Sequence, residues 1–275
     1  MARIFKGKTG SGAGAPSGQK AAKRRKPPEI KGDVIYRDSR ATPPKKGAPL
    51  RFENVEWLSL RDEIGRGFAG IVSWAKLKVK GNPQPKRAVV KEYLDPAEFL
   101  RVNEAVNRLR GSDVSCPKMD STYAKRRLLI IMEPFIRSVE TEKGERKMVS
   151  KFFDAGKNLD LVGGLDLGKA KDREIFRGVA KELGKLAKIG LWVAPAEDPY
   201  RGELRMDAFN AVALRNGKAK VFVQDLDTVH VSDAVSIKNW MASVHNLMLV
   251  VGQKEKNVGV ASEILRKTEG ELFGE

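Results

Sequence analysis

The sequence predicts an α+β fold in which strands gather in residues 51–135, helices dominate residues 136–275, and a basic segment of residues 1–50 precedes both. Three observations carry that expectation. Short stretches that alternate apolar and polar residues, or stay apolar throughout, read as strands: Ile71 to Val79 is of the first kind and Leu128 to Met132 of the second. Longer stretches with apolar residues three and four apart, such as Ile175 to Ala187, read as amphipathic helices. The first fifty residues show neither pattern.

That first segment is rich in Gly, Ser, Ala, Pro, Lys and Arg, with Glu29, Asp33 and Asp38 as its only acids. Such a composition cannot offset its ordering entropy by burial, so it reads as a disordered basic arm whose densest charge cluster is Lys23, Arg24, Arg25 and Lys26. A nucleic-acid or nuclear-import contact, an unstructured export signal and a plain solvated tail all fit it. The whole chain carries 52 basic against 35 acidic residues, a formal net charge of +17, which favours polyanionic partners. Cys116 is the single cysteine, so no intramolecular disulfide forms. With no apolar secretory stretch after Met1 and no run of about eighteen apolar residues, a cytoplasmic protein without a membrane span is expected. Nuclear entry or non-classical export through the arm is the alternative. Two histidines, His230 and His245, leave little material for a histidine-rich metal site or histidine-based hydrolysis.

Folded sequence is expected from about Leu50, with Trp57, Leu58 and Leu60 leading into the stretch IGRGFAGIV, Ile64 to Val72. It places Gly65, Gly67 and Gly70 ahead of Val72 in the pattern G-x-G-x-x-G-x-V. A backbone that must lie against phosphates cannot carry Cβ atoms at its closest approach, which is what glycine supplies. A surface hairpin with flexible corners has the same composition, and the flanks are what distinguish the two. Strands stand on both sides here, and a turn through Gly81, Asn82, Pro83 and Pro85 leads to Ala88, Val89, Val90 and Lys91. Asp95, Pro96 and Glu98 then form a helix start of the capping-box kind, with the stripe Phe99, Val102, Val106 and Leu109 ending near Gly111. The run LLIIM, Leu128 to Met132, fits a strand buried on both faces and ends at Glu133, Pro134 and Phe135.

A charged loop from Glu140 to Lys147 and a glycine-rich stretch through Gly168 separate this half from the next. A helix with Ile175, Phe176, Val179, Leu183, Leu186 and Ala187 on one face stops at Gly190. Further on, Asn210 opens a strand to Leu214, Asn216 and Gly217 form a tight turn, and Val221 to Val223 return to Asp225, Leu226 and Asp227. A helix with Ile237, Trp240, Met241, Val244, Leu247, Met248 and Val251 on its face, and a short one near Ala261 to Arg266, close the chain.

The glycine pattern, the AVVK strand and the order asparagine, hairpin, aspartate together resemble the protein-kinase-like superfamily. The resemblance implies a two-lobed fold, with a small antiparallel β-rich lobe over residues 51–135 and a mainly helical lobe over residues 136–275. It implies that Gly65, Gly67, Gly70 and Val72 cover the phosphates of ATP, that Ala88 packs on the adenine, and that Lys91 holds the α- and β-phosphates. Backbone groups near Glu133 would bind the base. A helix glutamate would pair with Lys91, and the residues leave Glu98 and Glu104 both open. Asn210 and Asp225 would hold Mg²⁺, with Asp227 a further candidate. The chain also departs from the pattern. The position five before Asn210, where the family has its catalytic aspartate, is Arg205, and no histidine precedes it. Asp207 is the expected base; Glu203 and Asp198 lie in a stretch, Pro195 to Glu203, that reads as an insertion. The motif is DLD rather than DFG, and no A-P-E triplet follows.

The function so implied is Mg²⁺- and ATP-dependent phosphoryl transfer, to a protein serine or threonine hydroxyl or else to a small-molecule hydroxyl. A nucleotide-binding pseudokinase or scaffold, and an AMP transferase, are the alternatives on the same fold. A basic nucleic-acid-binding protein is a third class, for which the chain offers charge but no reading motif.

Overall fold

The sheet begins earlier in the chain than the sequence predicts. The computed structural model describes residues 34–46, 51–66, 69–124, 127–132, 136–140, 146–150, 164–197, 202–213, 219–223 and 225–274. Within the segment expected to be a disordered arm, β1 (Val34–Arg37) pairs antiparallel with β2 (Val55–Arg66), and Ile35 is only 5% exposed. A four-residue strand is too short to show a period. What orders it is the free edge of β2 and the face of Phe52, whose ring lies 5.2 Å from that of Tyr36. Beyond β1 the same segment stays on the fold, with Ala41 buried and the Thr42 N–H donating to the Glu53 carbonyl at 2.8 Å; residues 1–33 and 47–50 of the expected arm lie outside the described residues.

From β2 the chain continues into β3 (Gly70–Val79), β4 (Lys86–Tyr93), β5 (Met119–Ala124) and β6 (Arg127–Met132), and the six strands lie in the order β1-β2-β3-β4-β6-β5, every pair antiparallel. The predicted alternation holds in β3: Ala75, Leu77 and Val79 are buried while Lys76 is exposed. In β6, Leu129 and Ile131 join one apolar cluster and Ile130 another, as a strand covered on both faces requires. The hairpin between β2 and β3 holds the glycine pattern, and Gly70 fills a place no larger residue can take. A Cβ there would lie 2.2 Å from the Glu92 carbonyl oxygen on β4. Gly70→Ala is therefore expected to push β3 from β4 and lower stability by about 1–3 kcal/mol. An unchanged denaturant midpoint would show that the two backbones part freely.

Between β4 and β5 runs α1 (Pro96–Leu109). Asp95 caps it, its carboxylate accepting from the Ala97 N–H at 2.8 Å. The predicted stripe of Phe99, Val102, Val106 and Leu109 is buried, joined by Ala105. Glu98 does not complete the capping box and pairs instead with Arg101.

Helices carry most of the second half. The hairpin β7 (Ile136–Glu140) and β8 (Arg146–Ser150) takes up the ends of the expected charged loop. Then come α2 (Ala170–Lys188), β9 (Leu191–Val193), the small pair β10 (Ala196–Glu197) and β11 (Leu204–Arg205), and the pair β12 (Phe209–Ala213) and β13 (Ala219–Val223). β14 (Val229–Val231) returns to pair with β9, and α3 (Ser236–Gly252) and α4 (Val258–Phe273) follow. The expected insertion thus opens with β10, and the tail helix runs well beyond Ala261 to Arg266 in both directions. Gly190 ends α2 as expected, at φ +75°.

On α3 the apolar stripe is rotated from the predicted one. Met241 is 61% exposed, whereas Asn239 and Ser243 are buried. Polar ties to β9 decide this: Ser243 Oγ accepts from the Val193 N–H at 3.1 Å, and Asn246 Nδ2 donates to the Val193 carbonyl at 2.9 Å. One apolar cluster lies within the sheet, around Leu58, Leu77 and Ile131. The larger one joins α1 and β6 to α2, α3 and α4, so residues on both sides of the expected boundary at residue 135 share a core. Among the described residues no helix is long and apolar enough to cross a membrane.

Candidate functional site

Strand pairing alone assembles the first part of the site. Gly65 stands opposite Val72, Val72 opposite Lys91, and Lys91 opposite Ile130, so a single cross-strand row carries the glycine hairpin, an aliphatic residue and a lysine on one face of the sheet. One step along the same face, Trp74 pairs with Val89 and Val89 with Met132. Ala88 is not there. It lies three residues from Lys91, an odd number that turns a strand residue to the opposite face, and it is fully buried in the sheet's own cluster. The residue on the Lys91 face is Val89.

The second part comes from the turn between β13 and β14. Lys91, its side chain 11% exposed, reaches Asp225 Oδ1 at 3.1 Å and Asp227 Oδ2 at 2.5 Å. Tyr93 donates its hydroxyl to Asp227 Oδ1 at 3.0 Å, and the Asp227 N–H donates to Asp225 Oδ1 at 3.2 Å. Burial first, and the Asp225 charge second, raise the pKa of Asp227; the Lys91 ammonium and the Tyr93 hydroxyl act against that rise. Burial and the two aspartates push the Tyr93 hydroxyl far above its ordinary value, so it remains a donor.

Arginines of α1 fasten this turn. Arg101 donates through Nη1 to the carbonyls of Leu226 (3.1 Å) and Val229, and through Nη2 to that of Asp227 (2.6 Å). Seven residues on, and so on nearly the same helix face, Arg108 donates to the carbonyls of Gly190 (3.2 Å) and Ser232 (3.0 Å). These arginines also claim both candidate glutamates: Glu98 pairs with Arg101, and Glu104 with Arg108 at 3.0 Å. Neither pairs with Lys91. The carboxylates that do so come from 134 and 136 residues further along the chain.

The remaining expected residues divide. Asn210 lies in β12 opposite Phe222, and nothing is described of its side chain. Asp207 is exposed, in the turn entering β12 between the buried Met206 and Ala208. Glu203 is exposed beside Leu204, which is held by Gln253 at the end of α3 through two hydrogen bonds. Gly67, Glu133 and Asp198 lie outside the described residues. Tyr93, Arg101 and Arg108 were not read from the sequence. The spacing of Arg101 from Glu98 and of Arg108 from Glu104 was a visible signal, but it reads equally as surface ion pairs.

Among the described residues no group of three or more His, Cys, Asp or Glu stands ready to hold a metal by itself. Two carboxylates directed at one cation, one of them with its pKa raised, nevertheless suit a hard cation that takes one or two protein carboxylates and completes its shell with phosphate and water oxygens. No protein-family model matches the chain, and no curated protein matches its sequence. What the geometry defines is an α+β protein with a lysine and two aspartates gathered beside a glycine-containing hairpin.

Proposed function

We propose that this protein transfers a phosphoryl group from ATP, with Mg²⁺, on a two-lobed protein-kinase-like scaffold. The observation that carries the reading is the meeting of Lys91, in register with Gly65 and Val72, with Asp225 and Asp227 from the far side of the chain. On this reading Lys91 holds phosphate oxygens, and Asp225 with Asp227 holds the cation. Val72, Val89 and Met132 give the base an apolar face. Mg²⁺, when bound, neutralises charge on the phosphates. The chain's own part is positioning: Lys91 and the aspartates are fixed by the sheet and by Arg101 before any ligand arrives. The acceptor we favour is a protein serine or threonine hydroxyl, with a small-molecule hydroxyl next and Asp207 as the orienting base.

Incubation with γ-labelled or α-labelled ATP and Mg²⁺, with and without a cell lysate, tests this. Transfer of the γ label alone is the expected result. Transfer of the α label would indicate AMP donation instead, and no transfer of either label with retained nucleotide binding would favour a pseudokinase scaffold. Arg205, standing where the family places its catalytic aspartate, is the observation on that side.

Binding should depend on pH in a particular way. Because the pKa of Asp227 is raised, its carboxylate takes up a proton at a higher pH than an ordinary aspartate, and cation binding weakens as pH falls through that value. Near neutral pH, Mg²⁺-ATP at a hundred times its dissociation constant should add about 2.7 kcal/mol of stability, seen as a rise in Tm. On acidification the Mg²⁺-dependent part of that rise should fade above the ordinary aspartate range. No shift at millimolar nucleotide would remove the basis of the reading.

A further inference from the structure

At the C-terminal end of α1, away from Arg101, a cavity of about 250 Å³ opens between the helix end and the start of β5. Leu109, Val114 and Met119 give it an apolar wall, and Arg51, Arg110 and Lys118 stand around it. Among the described residues no acidic side chain lines it. Of the three cations only Arg110 has an ion-pair partner, Asp120, and the second oxygen of that carboxylate is taken by the Phe52 N–H at 2.7 Å. Among the described residues Arg51 and Lys118 make no ion pair. Two of the carbonyls at the helix end, which would oppose an anion, are occupied. Asn107 O accepts from the Arg110 N–H, and Leu109 O accepts from the N–H and the hydroxyl of Ser112.

Arg51 and Lys118, without an ion pair among the described residues, give charge beside the hollow that an anion would pair with, and the wall leaves apolar surface that a hydrocarbon would cover. The hollow is smaller than a drug-sized pocket, which bounds the ligand. We propose that this cavity binds a small amphiphilic anion, a carboxylate or phosphate head on a short apolar body, at a site separate from the Lys91 cluster. The inference stands apart from the phosphotransferase reading, because none of its lining residues belongs to that cluster.

The chain carries its own reporter. Cys116, the only cysteine, lines the cavity, and burial together with the Glu182 charge pushes its thiol up to about 11, so it alkylates slowly and at a single position. The test follows alkylation of Cys116 by mass spectrometry, in parallel with titration calorimetry on the full chain. The probes are hexyl phosphate, hexanoate, hexanol and inorganic phosphate. At least one of the two charged amphiphiles should bind as a single equivalent and slow the alkylation, and which of them does so identifies the head group. Hexanol and inorganic phosphate should do neither. In Arg51→Gln with Lys118→Gln the affinity should fall by about tenfold or more, the scale of a lost charge-assisted hydrogen bond. Thermal unfolding checks that the double variant is folded, and the four-probe comparison on the unaltered protein stands without it. Equal protection by hexanol, equal binding of inorganic phosphate, unchanged affinity in a folded double variant, or no protection by either amphiphile would each overturn the proposal.

Discussion

Replacing Lys91 by methionine is expected to lower the proposed γ-phosphoryl transfer by on the order of a hundredfold, about 2.7 kcal/mol of transition-state stabilisation. The side chain is nearly buried and its ammonium is the charge that both Asp225 and Asp227 face. Methionine keeps the length and removes the charge, so the sheet should stay paired while the two carboxylates repel one another. The unliganded variant should accordingly unfold more easily, yet keep a Tm response to Mg²⁺, because the carboxylates proposed to hold the cation are intact. Asp225→Asn should lose transfer to a similar extent and lose the Mg²⁺ response as well. That opposite behaviour towards the metal is what separates a phosphate-holding lysine from a metal-holding aspartate. Transfer at the level of the unaltered protein in either variant would remove these residues from the chemistry.

Removing Arg101 is expected to loosen the turn that carries Asp225 and Asp227 and to lower stability. Its side chain is 19% exposed, and it donates to the carbonyls of Leu226, Asp227 and Val229, the first of which also accepts from the Val229 N–H, while pairing with Glu98. Arg101→Ala takes this donor from the carbonyls of Asp227 and Val229 at about 1–3 kcal/mol each, while Leu226 O keeps the Val229 N–H, so a loss of roughly 2 kcal/mol or more is expected by chemical denaturation. Arg101→Lys is the more informative variant. A lysine keeps the pairing with Glu98 but cannot serve three carbonyls with a planar fork, so much of the stability should return while the turn that aims Asp225 and Asp227 stays loose. Transfer and the Mg²⁺ response should then remain low in a well-folded protein. Recovery of both in Arg101→Lys would show that only the charge of residue 101 matters.

Local pattern made much of the framework readable. The alternation of β3, the unbroken run of β6, the Asp95 cap with Pro96 behind it and the stop at Gly190 are each set by residues within a few positions of one another. Each appears where expected. The same locality explains the errors. A strand of four residues has no period to read, so the sequence does not separate β1 from the arm. In α3, period alone could not tell that hydrogen bonds to Val193 would bury Ser243 and leave Met241 outside. Ala88, expected against an adenine, lies three positions from Lys91 and so on the other face of the sheet, a parity that the strand itself imposes.

For the site, the sequence by itself determined which groups were on hand. Glycines at 65 and 70, a lysine in an apolar strand and two aspartates one residue apart after another strand are all matters of type and spacing. Only the tertiary structure decided the pairing. Glu98 and Glu104 had the local claim to Lys91, being on the next helix, yet each lies within one turn of an arginine and is neutralised there. Lys91 was left to Asp225 and Asp227, which reach it because Arg101 gathers the carbonyls of their turn. Charge partners separated by more than a hundred residues are chosen by how helices and turns pack in space, and no local periodicity records that choice.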